Sequence, residues 1–297
     1  NLVQPLPDGA MKPGETWRLS VWAKGEGIAA GTEGWMKPLL RFMHYKHPEK
    51  RRYTTAYLPM GSFDWTPVTL DFVVPENLGP TQIGVGLDAI AGLCITHDHS
   101  DHTAGIPVLT GRHRLPLYAT YGTSTTVESN AKKHFEWNLF EAGCAFGIGA
   151  LTFEAFTVPH DAGDPVGFVV SDGERRLGIA TDMGEVPDMV AHHLKGCHAL
   201  ILEFNHDRDL LLNSSRPWMV KQRILGRRGH LSNVQACDLL RCIAGDQLRT
   251  LFLAHLSEEC NTPALARGCA AEVLRDCGLA GTTQLCLHQW PGPVLDV

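Results

Sequence analysis

Apolar and polar positions alternate with a period of two along residues 1 to about 88. Examples are Trp17-Arg18-Leu19-Ser20-Val21-Trp22-Ala23 and Val68-Thr69-Leu70-Asp71-Phe72-Val73-Val74. Successive side chains of a strand point to opposite faces, so the alternation predicts half-buried strands, with Pro, Gly, Asn and Asp marking the turns between them. No helical period interrupts these runs, and a small all-β sandwich is expected for 1–88. From residue 89 the pattern changes. Leu93-Cys94-Ile95-Thr96, Ala199 to Phe204 and Thr250 to Ala254 are short apolar runs of the kind that sheets bury on both faces. Gly167 to Ser171 and Arg176 to Ala180 flank Asp172-Gly173 and predict a hairpin. Ser124 to Asn138 and Pro187 to Lys195 are predicted helices, the second closed by Gly196. Thr262 is placed to cap another helix, with Pro263 in its first turn and Gly278 after its last. Strands alternating with helices make 89–297 an α/β unit.

Composition sharpens the seam near residue 90. All nine cysteines lie at or after Cys94, and thirteen of the fifteen histidines follow residue 93. The first 93 residues carry nine basic and nine acidic side chains, so the remainder carries the whole formal charge of −6. That sign excludes a strongly basic nucleic-acid binder but leaves room for a local basic patch. With 44% apolar and 20% charged residues the chain has a globular composition. No apolar run approaches the roughly 18 residues of a membrane span, so no membrane association is expected. The chain starts at Asn1 and shows no basic stretch followed by an apolar core. Cysteines that are odd in number and form no Cys-x-x-Cys pair are expected to be reduced thiols in a cytoplasmic protein.

The chemistry is concentrated in His97-Asp98-His99-Ser100-Asp101-His102, which leaves a predicted strand directly. Each of these side chains needs a polar partner when buried, so core packing is a poor explanation for the cluster. Imidazole and carboxylate suit zinc, manganese or iron. One such loop can aim His97 and His99 at one cation while Asp101 and His102 turn toward another. Further candidates each follow a predicted strand: His160 after Phe156 to Pro159, Asp182 after Gly178 to Thr181, and His255 after Leu251 to Ala254. A carboxylate such as Asp182 can bridge two cations about 3.5–4 Å apart, an arrangement common in hydrolysis.

The His-x-His-x-Asp-His pattern at His97 to His102 resembles the signature of the metallo-β-lactamase superfamily. Within it, residues 89–297 resemble the YycJ/WalJ-like branch, related to RNase Z and RNase J. The supporting segments are Pro159 to Gly167, Leu202 to Asp207, Lys221 to Ile224, Gly229 to Asn233, and Ala254 to Ser257 with Asn261 to Pro263. The resemblance implies an αββα sandwich and a dinuclear site of two divalent ions, zinc foremost with manganese or iron as alternatives. It implies that His97, His99 and His160 hold the first ion, that Asp101, His102 and His255 hold the second, and that Asp182 bridges. It also implies phosphodiester hydrolysis, foremost 5′→3′ exonuclease action on DNA, or on RNA. Asp182 or Asp101 would orient the attacking water. His230, expected at the start of a helix, resembles the RNase Z-like histidine that contacts the scissile phosphate and protonates the leaving group. Ser232 is expected near that helix's cap, His206 is expected to line or back the pocket, and Lys221 and Arg223 belong to a basic run placed to hold a nucleic-acid backbone.

The strands and helix that usually precede the His-x-His motif in this superfamily are absent, so 89–297 is read as N-terminally truncated. Residues 1–88 resemble instead a jelly-roll carbohydrate-binding module, on Lys12 to Gly25, Gly61 to Thr66 and Ile83 to Asp88. Its Trp17, Trp22, Trp35 and Trp65 are candidates for stacking on sugar rings or for the core. Leu87 to Gly92 fits either parent, which suggests a chimera joined at 88/89 and carrying a possible carbohydrate partner. A module of this kind, if native, suggests secretion. Two further functions stay open: hydrolysis of esters, thioesters or lactams, and carbohydrate binding beside an inactive hydrolase half.

Overall fold

A computed structural model describes residues 2–5, 14–28, 39–47, 50–74, 81–85, 91–112, 115–279 and 282–285. Trp35 and the expected join at 88/89 lie outside the described residues. The chain divides into two units, Asn1–Ala91 with Val108–Leu115, and Gly92–Pro107 with Pro116–Val297.

The first unit contains β1 (Leu2–Pro5), β2 (Thr16–Ile28), β3 (Leu39–His47), β4 (Lys50–Tyr57), β5 (Gly61–Val73) and β6 (Thr81–Val85). They form one sheet in the order β1-β6-β3-β4 and a second of β2 and β5, with every pairing antiparallel. The period-2 pattern of the sequence is visible as burial: Val68, Leu70, Phe72 and Val74 are buried while Thr69, Asp71 and Val73 between them are exposed. Arg18 faces Asp71 across the β2–β5 pair and donates to its carboxylate at 2.6 and 2.8 Å.

The second unit is built around two sheets. A parallel sheet holds β7 (Leu93–Cys94), β8 (Leu117–Ala119) and β9 (Trp137–Leu139). A seven-stranded sheet runs β10 (Ala145–Ile148), β11 (Leu151–Thr157), β12 (Val166–Ser171), β13 (Arg176–Ala180), β14 (Ala199–Glu203), β15 (Thr250–Ala254) and β16 (Thr282–Leu285). Its first four strands are antiparallel, including the β12–β13 hairpin, and its last four are parallel.

Strand alternation sets the layers. Phe156 and Val169 point to one face of the large sheet, where they pack with α4 (Asp188–Leu194), α7 (Asn233–Ile243) and α8 (Pro263–Asp276). Ala155, Phe168 and Val170 point to the other face and meet Tyr118 of the small sheet. Leu117 and Ala119, on either side of Tyr118, face away and pack with Val127 of α3 (Tyr121–Ala131). The order is helix, sheet, sheet, helix, which is the αββα sandwich expected for this part of the chain.

Two elements depart from expectation. The helix expected over 124–138 is α3, which starts earlier because the Thr120 hydroxyl accepts from Thr123 N. It stops at Ala131 because Lys132 takes a left-handed conformation, φ 49°, which frees Trp137–Leu139 to pair beside β8. The helix expected to open near His230 begins instead at Asn233.

Candidate metal centre

β7 stays in register beyond its last residue: Ile95 N donates to Tyr118 O and Val166 N to Thr96 O, each at 2.9 Å. Both sheets therefore hold the base of the histidine loop. A single helical turn, α1 (Ser100–Thr103), follows, with His99 preceding it and Asp101 and His102 on it. Residues of a turn diverge by about 100° each, so consecutive ligands face different directions. Thr96 Oγ1 lies 3.1 Å from His97 Nδ1 and 3.4 Å from His102 Nδ1, leaving the Nε2 atoms of both rings for the centre.

His160 follows β11. Its Nδ1 donates to Gly229 O at 3.1 Å and its Nε2 lies 3.2 Å from His99 Nδ1. Three more groups come from the carboxyl ends of adjacent parallel strands, the place where open α/β sheets gather ligands. The register Ala180↔Leu202 and Leu202↔Leu253 aligns these ends, so that Asp182, Glu203 and His255 converge. Asp182 and His255 have left-handed backbones, φ 60° and 56°, which turn each chain sharply out of its strand. Asp182 Oδ1 is 3.2 Å from His255 Nε2 and 3.9 Å from His160 Nε2, and its Oδ2 is 3.4 Å from His102 Nε2.

The ligand atoms fall into overlapping groups, each within 4.8 Å: His97, His99 and His160; Asp101, His102 and His255; His97, His102 and Asp182; and Asp182, Glu203, His230 and His255. His97 Nε2 and Asp182 Oδ2 are buried here without a hydrogen-bond partner. An unpaired buried polar atom costs about 1–3 kcal/mol, a penalty that a cation on the lone pair removes. Nitrogen and carboxylate donors of this kind fit divalent zinc, manganese or iron and do not select among them.

Glu203 received no role from the sequence, although it is the one charged residue closing the apolar run Ala199 to Phe204. It is fully buried and accepts four hydrogen bonds: from His230 Nδ1 (2.8 Å), His255 Nδ1 (3.0 Å), Met183 N (3.0 Å) and Leu231 N (3.2 Å). Burial opposes its charge, but the bonds from His230 and His255 outweigh that and bring its pKa down to about 2. Burial likewise opposes charge on His255, and the Asp101 and Glu203 hydrogen bonds with the nearby Asp182 carboxylate raise it to about 11. Burial pushes His97 down to about 3 and lowers His160, keeping both rings neutral. Asp101 is held well below the usual carboxylate range by its bond from His255.

The remaining candidates have other partners. Lys221, expected to hold a nucleic-acid backbone, is buried and donates to Leu212 O and Ser214 O, each at 2.7 Å. Arg223, expected on the same backbone, pairs with Asp161 through Nε to Oδ2 and through Nη2 to Oδ1 at 3.0 Å. That bond holds Asp161 down to about 2, with Oδ1 3.6 Å from His160 Nε2 and 3.8 Å from His99 Nε2. Arg223 is thereby tied to a carboxylate that lies beside two of the candidate ligands. The Ser232 hydroxyl donates to Gln235 Oε1 (2.8 Å) and accepts from Gln235 N, capping α7, so it is occupied by the fold. His206 is fully buried with neither ring nitrogen hydrogen-bonded, and burial pushes it down to about 4.

Residues 68–255 match the family model described as β-lactamase superfamily domain, and the match begins upstream of the expected join. An exodeoxyribonuclease YycJ of Bacillus anthracis is 33% identical over 204 residues, covering 66% of this chain and 75% of that protein. An exodeoxyribonuclease WalJ of Streptococcus pneumoniae serotype 2 is 34% identical over 188 residues, covering 61% and 67%. Among solved structures, the metallo-β-lactamase fold protein YhfI from Bacillus subtilis superposes with a TM-score of 0.50 at 17% identity, covering 66% of this chain and 74% of that one.

Proposed function

The chain belongs to the β-lactamase superfamily domain family and is a metal-dependent hydrolase, and from that premise we propose that it cuts phosphodiester bonds of DNA from the 5′ end, with RNA as the other candidate substrate. The observation that carries the reading is the convergence of His97, His99, Asp101, His102, His160, Asp182 and His255 around unpaired buried donor atoms. The 33–34% identity to proteins named exodeoxyribonuclease supports the choice of substrate. Their names favour neither lactams and esters nor sugars.

In this reading His97, His99 and His160 would hold one divalent ion and Asp101, His102 and His255 another, with the Asp182 carboxylate available to both. Bound there, the two ions supply Lewis acidity and lower the pKa of water. Asp182 and Asp101 offer the carboxylate oxygens that orient a water against phosphorus. His230 gives a proton to the leaving oxygen. Glu203 accepts from its Nδ1 at 2.8 Å, which fixes the ring and leaves its opposite edge free to face a substrate. Arg223 fixes Asp161, whose carboxylate lies beside His99 and His160. We place the activity in the cytoplasm, in keeping with eight free thiols among the described residues.

The test is digestion of 5′-labelled single- and double-stranded DNA by protein of known metal content. Single labelled nucleotides, lost with a chelator and in Asp182→Ala, are the expected result. Protein that carries about two metal ions per chain yet leaves both substrates intact would overturn the reading.

A further inference from the structure

The second unit contains a cavity of about 820 Å³, within the range of small-ligand sites. It adjoins the metal centre through shared chain: its wall includes Ala162 and Asp164 of the loop after His160. Arg228 also lines it, and its Nε donates to the His160 carbonyl at 2.9 Å. Its neighbours Arg223 and Arg227 hold Asp161 and Glu185. Arg228 has no carboxylate partner among the described residues, so its guanidinium keeps donors for an anion.

On the same wall stands Tyr121, a ring 69% exposed on a rigid base. The first turn of α3 is pinned by the Thr120 cap and by Gly122 N donating to Asp164 Oδ2 at 2.9 Å. A Cβ at Gly122 would collide with that carboxylate, so the glycine permits the close approach. Asp164 itself is held with φ 49° and is thereby committed to the wall. Phe140, stacked on Phe146 at 4.6 Å, adds a second aromatic surface, and Glu141 adds an exposed carboxylate.

One unpaired cation matches one phosphate, and the two carboxylates repel a run of phosphates. An exposed ring on a fixed turn matches a nucleobase, because base stacking on an aromatic side chain tolerates any base. Resting on the hydrolase reading above, we propose that this cavity seats the terminal nucleotide of the strand being cut. Arg228 holds its phosphate, Tyr121 stacks on its base and Glu141 accepts from a base amino group.

The probe is deoxyadenosine 5′-monophosphate titrated calorimetrically into the full chain as purified. Saturable binding is expected, weakened about tenfold in Tyr121→Ala and in Arg228→Gln and retained in Tyr121→Phe. Tyr121 is exposed, so its removal leaves the core intact. Equal affinity in Tyr121→Ala and the unaltered chain, or no binding by the unaltered chain, would overturn the proposal. Turnover of bis(4-nitrophenyl) phosphate by the unaltered, metal-bearing chain tests the hydrolase reading separately. Absence of turnover alongside Tyr121-dependent binding would remove that reading and uphold the cavity as a nucleotide seat.

Discussion

Glu203 accepts four hydrogen bonds while fully buried, and two of its donors, His230 and His255, are groups to which the proposed function assigns the proton and a metal ion. Breaking a buried charged pair by removing one partner costs about 3–5 kcal/mol. Glu203→Gln is therefore expected to lower the denaturant midpoint markedly and to reduce kcat at least tenfold, measured by chemical unfolding and steady-state hydrolysis. Unchanged stability would mean that the two histidines do not depend on this carboxylate. The raised pKa of His255, about 11, gives a second expectation. At pH 7 the metal-free ring is protonated, whereas a ligand nitrogen must be free of its proton. Metal uptake should then release a proton, and affinity should rise with pH, about tenfold per unit for each proton released. Calorimetric titrations in buffers of different ionisation enthalpy measure that release directly, and zero release would contradict the His255 assignment. The histidine and aspartate cluster was legible in the sequence because donor types crowded into one loop have few other uses. The partners of Lys221 and Arg223 were not legible, because a charge in a sequence does not reveal what it pairs with: here two carbonyls and Asp161.

Parallel pairing of β13, β14 and β15 puts Asp182, Glu203 and His255 at one end of the sheet because the strands are aligned in register. A slip of one residue in any of these strands would turn that strand's end the wrong way. The loop between α6 (Trp218–Leu225) and α7 works similarly on His230, whose amide donates to Ile224 O at 2.9 Å. Gly229 has no room for a Cβ, which would strike the carbonyls of Arg223 and Ile224. Gly229→Ala should displace His230 and the Gly229 carbonyl that holds His160, reducing both metal content and turnover; full metal content with normal turnover would contradict this. Ser232→Ala should behave differently. It removes a helix cap worth about 1 kcal/mol and should lower the melting temperature by a few degrees with kcat/KM unchanged. A large loss of kcat/KM at full folding would restore Ser232 to the substrate site. The strands β7, β12, β13, β14 and β15 and the helices α4 and α8 were legible from caps, glycines and apolar runs. The end of α3 was not, because nothing local marks Lys132 as left-handed, and β9 is defined by its neighbour β8 more than by its own three residues.

At the scale of the molecule, one unit carries antiparallel strands and the other carries the candidate centre. The alternation along 1–88 foretold strands, and in Val68–Val74 the predicted faces are the observed ones. How those strands are paired depends on contacts between distant segments, which no local pattern encodes. Among the described residues no helix is long and apolar enough to cross a membrane. Binding to the folded state alone stabilises by mass action, by about 2.7 kcal/mol at a hundredfold excess over Kd. Stripping metal with a chelator should therefore lower the melting temperature and end hydrolysis, and adding zinc or manganese back should restore both; a melting temperature indifferent to the chelator would argue against a folded-state centre. The ligands are also spread unevenly along the chain. His99 and His160 are 61 residues apart, whereas Asp101 and His255 are 154 apart. Synthesis proceeds from the N-terminus, so the His97, His99 and His160 group is complete on the ribosome well before β15 exists. One half of the centre can meet the cell's metal ions early, and the other closes only when β15 docks beside β14. With donors that accept several ions, protein synthesised in manganese-rich medium is expected to carry a different ion from protein loaded with zinc after folding, a difference that elemental analysis measures.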